Sequence, residues 1–146
     1  MSSKEYLPFF VYGTLRRGQS AYPLLEGRTE REEPAVLPGF KLYSLGDYPA
    51  IYPAENAHFQ VMGEIMLVSA EHYEDVLAAL DHWEGYTPEF REVSLYWRET
   101  KEAFTLDGQA VQVTCYVGNP AFFKSEYTLL PDGDWTAFRQ QPRFIP

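Results

Sequence analysis

Two short stretches of this 146-residue chain carry residues that could do chemistry. In the first, Phe9-Phe10-Val11 runs into Tyr12-Gly13-Thr14-Leu15, with Arg16-Arg17-Gly18 behind. A strand that ends abruptly at a glycine leaves successive backbone N–H groups unpaired. Such a concavity favours a carboxylate or an oxyanion. Alone, the run equally describes an N-terminal strand followed by a tight turn. The second stretch, Leu80-Asp81-His82-Trp83-Glu84-Gly85-Tyr86, strengthens the functional reading. On a helix turning about 100° per residue, Glu84 follows Leu80 by four positions and Leu77 by seven, which sets its carboxylate in the apolar stripe. It also stands in the last turn, where the helix dipole disfavours negative charge by about 0.3–1 kcal/mol. Burial and dipole both favour the protonated form, so a raised pKa is expected, as acid–base work requires. The other reading is a helix end at which Glu84 curls back to water or pairs with an arginine such as Arg91.

The remaining reactive side chains are less suggestive. Asp81 lies at the margin of the same stripe and is expected to be solvated or to cap the helix. His82 projects to the opposite face and is expected to be exposed. His58, His72 and His82 are scattered without paired metal-ligand spacing. Cys115 sits in a strand-like run and reads as buried apolar filler. There is no G-x-S-x-G elbow, phosphate loop or dinucleotide fingerprint.

Several elements must position the two stretches. Residues 1–7 read as a poorly ordered lead-in. After the first strand, Ala21–Leu25 could make one helical turn, and Glu26–Pro34 reads as a charged loop. Phe40–Leu45 reads as a strand closed by Gly46-Asp47. Tyr48–Pro53, with two prolines and two tyrosines, reads as an extended rigid segment. Val61–Val68 is a third strand, in which Gly63 marks a bulge or a close approach of another backbone. A helix follows, with Ser69 as N-cap, Glu71 and Glu74 near its start and Gly85 as its stop. Tyr73, Val76, Leu77 and Leu80 recur along one face of it. Val93, Leu95 and Trp97 then alternate with polar neighbours as in a half-buried strand. Asp107-Gly108 suits a hairpin turn between 103–106 and 111–117. The tail around Gly133-Asp134-Trp135 and Gln140-Gln141-Pro142-Arg143 has little periodicity. The expected fold class is α+β: a small mixed β-barrel or strongly curved sheet, with one principal helix and short flanking helices.

Composition narrows the partners. A 45% hydrophobic and 16% aromatic chain of this length can pack one core, so a single domain over 1–146 is expected, centred on about 9–135. The net charge of −9 speaks against nucleic acid and anionic membrane surfaces. No apolar run approaches a membrane span and the N-terminus has no signal-peptide core. With a single cysteine, a cytoplasmic location is the default expectation.

The ordered motifs resemble those of the gamma-glutamylcyclotransferase-like (AIG2-like) family. Tyr12-Gly13-Thr14-Leu15, with Arg16 and Gly18, looks like that family's Tyr-Gly-(Ser/Thr)-Leu signature. Leu80-Asp81-x-x-Glu84-Gly85-Tyr86, with Arg91, resembles its downstream acidic motif. Tyr43-x-Leu45-Gly46-x-Tyr48-Pro49, Gly63-Glu64 and Gly133-Asp134-Trp135 look like further landmarks, especially of its short bacterial members. The resemblance implies a small mixed barrel with flanking helices. It makes Glu84 the catalytic carboxylate, with the Tyr12–Leu15 loop, Arg16 and Tyr48 on the substrate side. It also implies a γ-glutamyl small-molecule substrate, cyclised to 5-oxoproline, and no cofactor or metal; the oligomeric state stays open. One departure is Phe90, where the family often has a tyrosine. Two other classes stand beside the enzyme: the same pocket as a non-catalytic metabolite-binding module, and an interaction domain whose aromatics, such as Trp97 and Trp135, pack on a partner.

Overall fold

The computed structural model describes residues 6–140. The first five residues of the expected lead-in, and the tail from residue 141, lie outside that range. Among the described residues, eight strands and two α-helices follow in order: β1 (Phe9–Val11), β2 (Thr29–Pro38), β3 (Phe40–Ser44), β4 (Pro49–Pro53), β5 (Gln60–Val68), α1 (Tyr73–Glu84), β6 (Tyr96–Thr105), β7 (Ala110–Gly118), β8 (Thr128–Leu130) and α2 (Trp135–Gln140). Short 3-10 segments flank them, including Tyr22–Leu24 where a helical turn is expected and Pro88–Val93, which is broken at Phe90. Five strands close a barrel in the order β1-β5-β2-β6-β7, and β4-β3-β8 form a smaller sheet. The fold is thus mixed α+β, with a closed barrel and one main helix.

Alternation along β1 divides the apolar residues between two cores. Phe10 and Tyr12 join Leu37, Val61, Ile65, Val113, Cys115 and Trp135 in one. Phe9 and Val11 join Tyr73, Val76 and Leu80 of α1 in the other, together with Tyr96 and Tyr116. The Phe9 and Tyr73 rings stack with centroids 5.4 Å apart. Burying three such side chains of α1 contributes about 1.5–3 kcal/mol apiece. This layer docks the helix against the barrel and fixes where its C-terminal turn falls. The close approach expected at Gly63 is met by β1: a Cβ there would lie 2.3 Å from the Val11 carbonyl O and 2.6 Å from Phe10 Cζ.

Four expectations need correction. The charged run from Glu26 does not stay a loop to Pro34: from Thr29 it is strand, paired with β5 through Pro38 with an irregularity between Thr29 and Arg31. Its charged residues are partly or fully exposed, and Glu32 accepts from the Thr29 and Tyr22 hydroxyls at 2.7 and 2.8 Å. Ladder pairing with β5, which composition does not report, overrides the loop signal. Second, Val93 does not begin a strand. It lies 72% exposed in the 3-10 segment Pro88–Val93, and β6 starts on buried Tyr96, whose hydroxyl donates to the Pro49 carbonyl at 2.6 Å. Third, Ser69 flanks a 3-10 turn, Ala70–His72, and its hydroxyl donates to the Arg28 carbonyl instead of capping the helix. Fourth, Trp135 is buried at the start of α2, and Trp97 is half-buried beneath the Arg91 guanidinium, 4.0 Å from its ring centre, so neither is a free surface aromatic. The prolines of Tyr48–Pro53 do lie in an extended edge strand, β4.

Candidate functional site

The end of β1 and the end of α1 meet at a cavity of about 510 Å³. Tyr12, Gly13, Thr14, Leu15, Tyr48 and Glu84 all line it. On one wall the chain leaves β1 and turns at once: the Arg16 N–H donates to the Gly13 carbonyl at 3.0 Å, and the Ala21 N–H to the Thr14 carbonyl at 2.8 Å. Carbonyls are thereby used, whereas the N–H groups of Gly13, Thr14 and Leu15 donate to no described residue. Gly13 is fixed by packing, since a Cβ there would lie 2.5 Å from Cγ of Pro49. That contact also seats Tyr48 and Pro49 on the cavity wall.

Arg16 is held elsewhere. Its guanidinium donates to Glu64 and to Asp134, each at 3.2 Å, and the Arg17 N–H donates to the same Glu64 carboxylate at 2.9 Å. Arg16 does not line the cavity. Its visible work is to tie the loop to β5 and to the residue before α2, not to face a ligand. Asp134 also accepts from the Thr136 hydroxyl and Ala137 N–H, so α2 is anchored at the same point.

Glu84 comes from the last turn of α1, which ends where the Gly85 N–H reaches back to the His82 and Asp81 carbonyls. Its carboxyl forms no hydrogen bond or ion pair with a described residue. Arg91, the pairing alternative, donates instead to Glu99 at 2.7 Å. Burial raises the Glu84 pKa to about 8, the direction expected from its place on the helix. The residue keeps partial access to solvent, through the cavity it lines.

Three tyrosines of the cavity wall explain why nothing offsets that burial. The Tyr12 hydroxyl donates to the Tyr116 carbonyl at 2.7 Å, Tyr96 to the Pro49 carbonyl at 2.6 Å, and Tyr116 to Asp81 at 2.5 Å. Each donor is spent on another acceptor, so none stabilises an ionised Glu84. Burial above all pushes the three phenols upward, Tyr116 further through its bond to Asp81, and they stay neutral. The wall is largely apolar, and among the described residues no lysine or arginine on it offers the carboxylate a cation. That combination suits a carboxyl which must both take and give a proton.

Asp81 is mostly buried and does not cap the helix. One oxygen accepts from Tyr116 and the other from the Arg98 guanidinium, so it pins α1 to β6 and β7 one turn before Glu84. His82 is exposed on the cavity rim. Cys115 is buried in the barrel, its thiol pushed well up by burial. Trp83, Tyr96, Tyr116 and Asp47 also line the site and carry no local sequence signal for it. The tyrosines belong to strands that meet α1 only in the folded barrel. Among the described residues no group of His, Cys, Asp and Glu side chains is arranged to hold a metal ion.

Comparison with known proteins gives concordant results. The family model described as "Gamma-glutamyl cyclotransferase, AIG2-like" matches residues 9–137. A Vibrio cholerae protein named "Putative gamma-glutamylcyclotransferase" is 38% identical over 82 residues, which span 56% of this chain and 65%, under two thirds, of that protein. An aig2-like protein from Mus musculus superposes with a TM-score of 0.59 at 23% identity, covering 96% of this chain and 98% of that one. YkqA from Bacillus subtilis gives a TM-score of 0.66 at 22% identity, covering 91% of this chain but 40% of that longer one. At these identities the two structures speak to the fold.

Proposed function

The chain belongs to the gamma-glutamyl cyclotransferase, AIG2-like family, and on that premise we propose that it cyclises a γ-glutamyl amine or γ-glutamyl amino acid to 5-oxoproline. The observation that carries this reading is the presence of Glu84 and the undonated amides of Gly13–Leu15 on one cavity.

In the reaction the substrate's α-amine attacks its own γ-amide carbonyl carbon. A new C–N bond closes the five-membered ring, the original amide C–N bond breaks, and the amine departs. No water is consumed. Nucleophile and electrophile share one molecule, so the protein has chiefly to fold the substrate and move protons. Glu84 takes the proton that the α-nitrogen loses and delivers one to the departing nitrogen. A carboxyl poised near neutrality serves both steps. The Gly13, Thr14 and Leu15 amides hold an anionic oxygen of the substrate, as preset donors cost no reorganisation during the reaction. Tyr12 supports that loop through its bond to the Tyr116 carbonyl, and Tyr48 forms part of the cavity wall beside it.

The test is 5-oxoproline release, followed by mass spectrometry, from a panel of γ-glutamyl amines and γ-glutamyl dipeptides. Wild-type protein should turn over at least one of them, and Glu84→Gln should fold yet release none. Unchanged release by that variant removes Glu84 from the mechanism.

A further inference from the structure

The chemistry of the cavity walls bears on the half of the substrate that departs, an inference that rests on the cyclotransferase reading. A volume of about 510 Å³ is that of a pocket for a whole drug-sized molecule, more than a γ-glutamyl group fills. Among the described residues, the acidic side chains on its wall are Asp47 and Glu84, the latter disposed by burial to hold a proton, and His82 lines it while no lysine or arginine does. The nearby Arg16 is committed to Glu64 and Asp134. The loop amides can hold one anionic group of the γ-glutamyl end. A second carboxylate, on the departing end, would meet the like charge of Asp47 and no permanently charged lysine or arginine among the described residues.

Two aromatic rings complete the wall. Trp83 is 51% exposed and Tyr48 44%, although both line the cavity. The Trp83 ring is held by its indole N–H, which donates to the Thr14 hydroxyl at 3.3 Å, and the backbone that carries Tyr48 runs into buried Pro49, which rests on Gly13. Aromatic faces open to solvent gain by stacking on a flat apolar group, and the hydrogen-bonded Trp83 ring has little ordering left to do.

We propose that the departing group is a carboxylate-free arylalkylamine, its ring seated against Trp83 and Tyr48. Three conjugates separate the elements of this claim. γ-Glutamylphenethylamide and γ-glutamylphenylalanine differ by one carboxylate, and γ-glutamylethylamide lacks the ring. Measured as 5-oxoproline formation by the full chain, kcat/KM for the phenethylamide should exceed that of each of the others by 10-fold or more. Asp47→Asn should narrow the gap to γ-glutamylphenylalanine. Tyr48→Leu, and separately Trp83→Leu, should narrow the gap to the ethylamide, mostly through KM.

Equal kcat/KM for the phenethylamide and the phenylalanine conjugate overturns the charge selection, and equal values for phenethylamide and ethylamide overturn the ring seat. If no conjugate is turned over, calorimetric affinities of the same three for wild-type protein decide: the same ranking upholds the wall preference while the cyclotransferase reading falls, and a flat ranking or no binding overturns the proposal.

Discussion

The indole N–H of Trp83 donates to the hydroxyl of Thr14 at 3.3 Å, joining the helix that carries Glu84 to the loop that carries the free amides across a sequence separation of 69. Thr14→Val keeps the shape of the side chain and removes the acceptor. One exposed hydrogen bond is worth about 0.5–1.5 kcal/mol, so thermal unfolding should fall only slightly. The loop and helix would lose their direct polar tie, and the rise should come in KM for a γ-glutamyl substrate while kcat holds. A fall in kcat with KM unchanged would place Thr14 in the chemical step instead.

Glu84 makes stability depend on pH with a definite sign. Its carboxyl holds a proton more tightly in the folded chain, with a pKa of about 8, than at its ordinary 4.5. That contribution is fully present below about pH 4.5 and is lost as pH rises through about 8. Glu84→Gln has no proton to lose there. Across that window its unfolding free energy should gain on wild type, by on the order of 2 kcal/mol once partial solvent access is allowed for, and then level off. Denaturant unfolding of both proteins at several pH values checks this. A constant difference from acid to pH 9 would mean that Glu84 ionises as freely as an exposed carboxylate.

The same group should shape the rate. If Glu84 accepts the proton from the α-nitrogen, kcat/KM rises with pH as the carboxylate forms, with an apparent pKa near 8. The measurement is initial 5-oxoproline formation from pH 5 to pH 9.5, with the substrate amine titrated independently so that its ionisation can be divided out. A corrected profile that is flat above pH 5 excludes Glu84 as the base.

Much of this site was legible because local and global signals agree there. The strand at Phe9–Val11 is apolar on both faces and lies between two cores, so it reads as a strand in any context. The helix ending at Gly85 has an unambiguous apolar face, and Glu84 stands out only because that face is otherwise clean. Illegible parts depend on partners distant in sequence. Thr29–Pro38 looks like a polar loop until β5 supplies its ladder. Val93 looks buried until the Ser94 hydroxyl, donating to the Phe90 carbonyl at 3.0 Å, helps hold a 3-10 segment that leaves Val93 outside. Arg16 reads as a residue that could face a ligand, and becomes a tie because Glu64 and Asp134 arrive from β5 and the far end of the chain. Asp81 gains its role from Arg98 and Tyr116 in the same way. A charge next to a motif shows that an interaction exists; only the fold decides with whom.

Asp81 offers a final prediction, because its two partners come from two strands. Its side chain is 18% exposed and that of Arg98 27%, so the pair is mostly desolvated, and removing one member strands the other. Asp81→Asn should lower stability by about 1–3 kcal/mol, less than for a fully buried pair because water still reaches both groups. Tyr116 can still donate to the asparagine oxygen, so most of the loss belongs to Arg98. Adding Arg98→Met should therefore restore part of it, with a coupling of about 0.5–3 kcal/mol in a double-mutant cycle. Since Asp81 sits one turn before Glu84, the single variant should also lower kcat more than it raises KM, and the double variant should not recover kcat in step with stability. Strict additivity of the two substitutions in chemical denaturation would show that the Asp81–Arg98 pair does not hold α1 to the barrel.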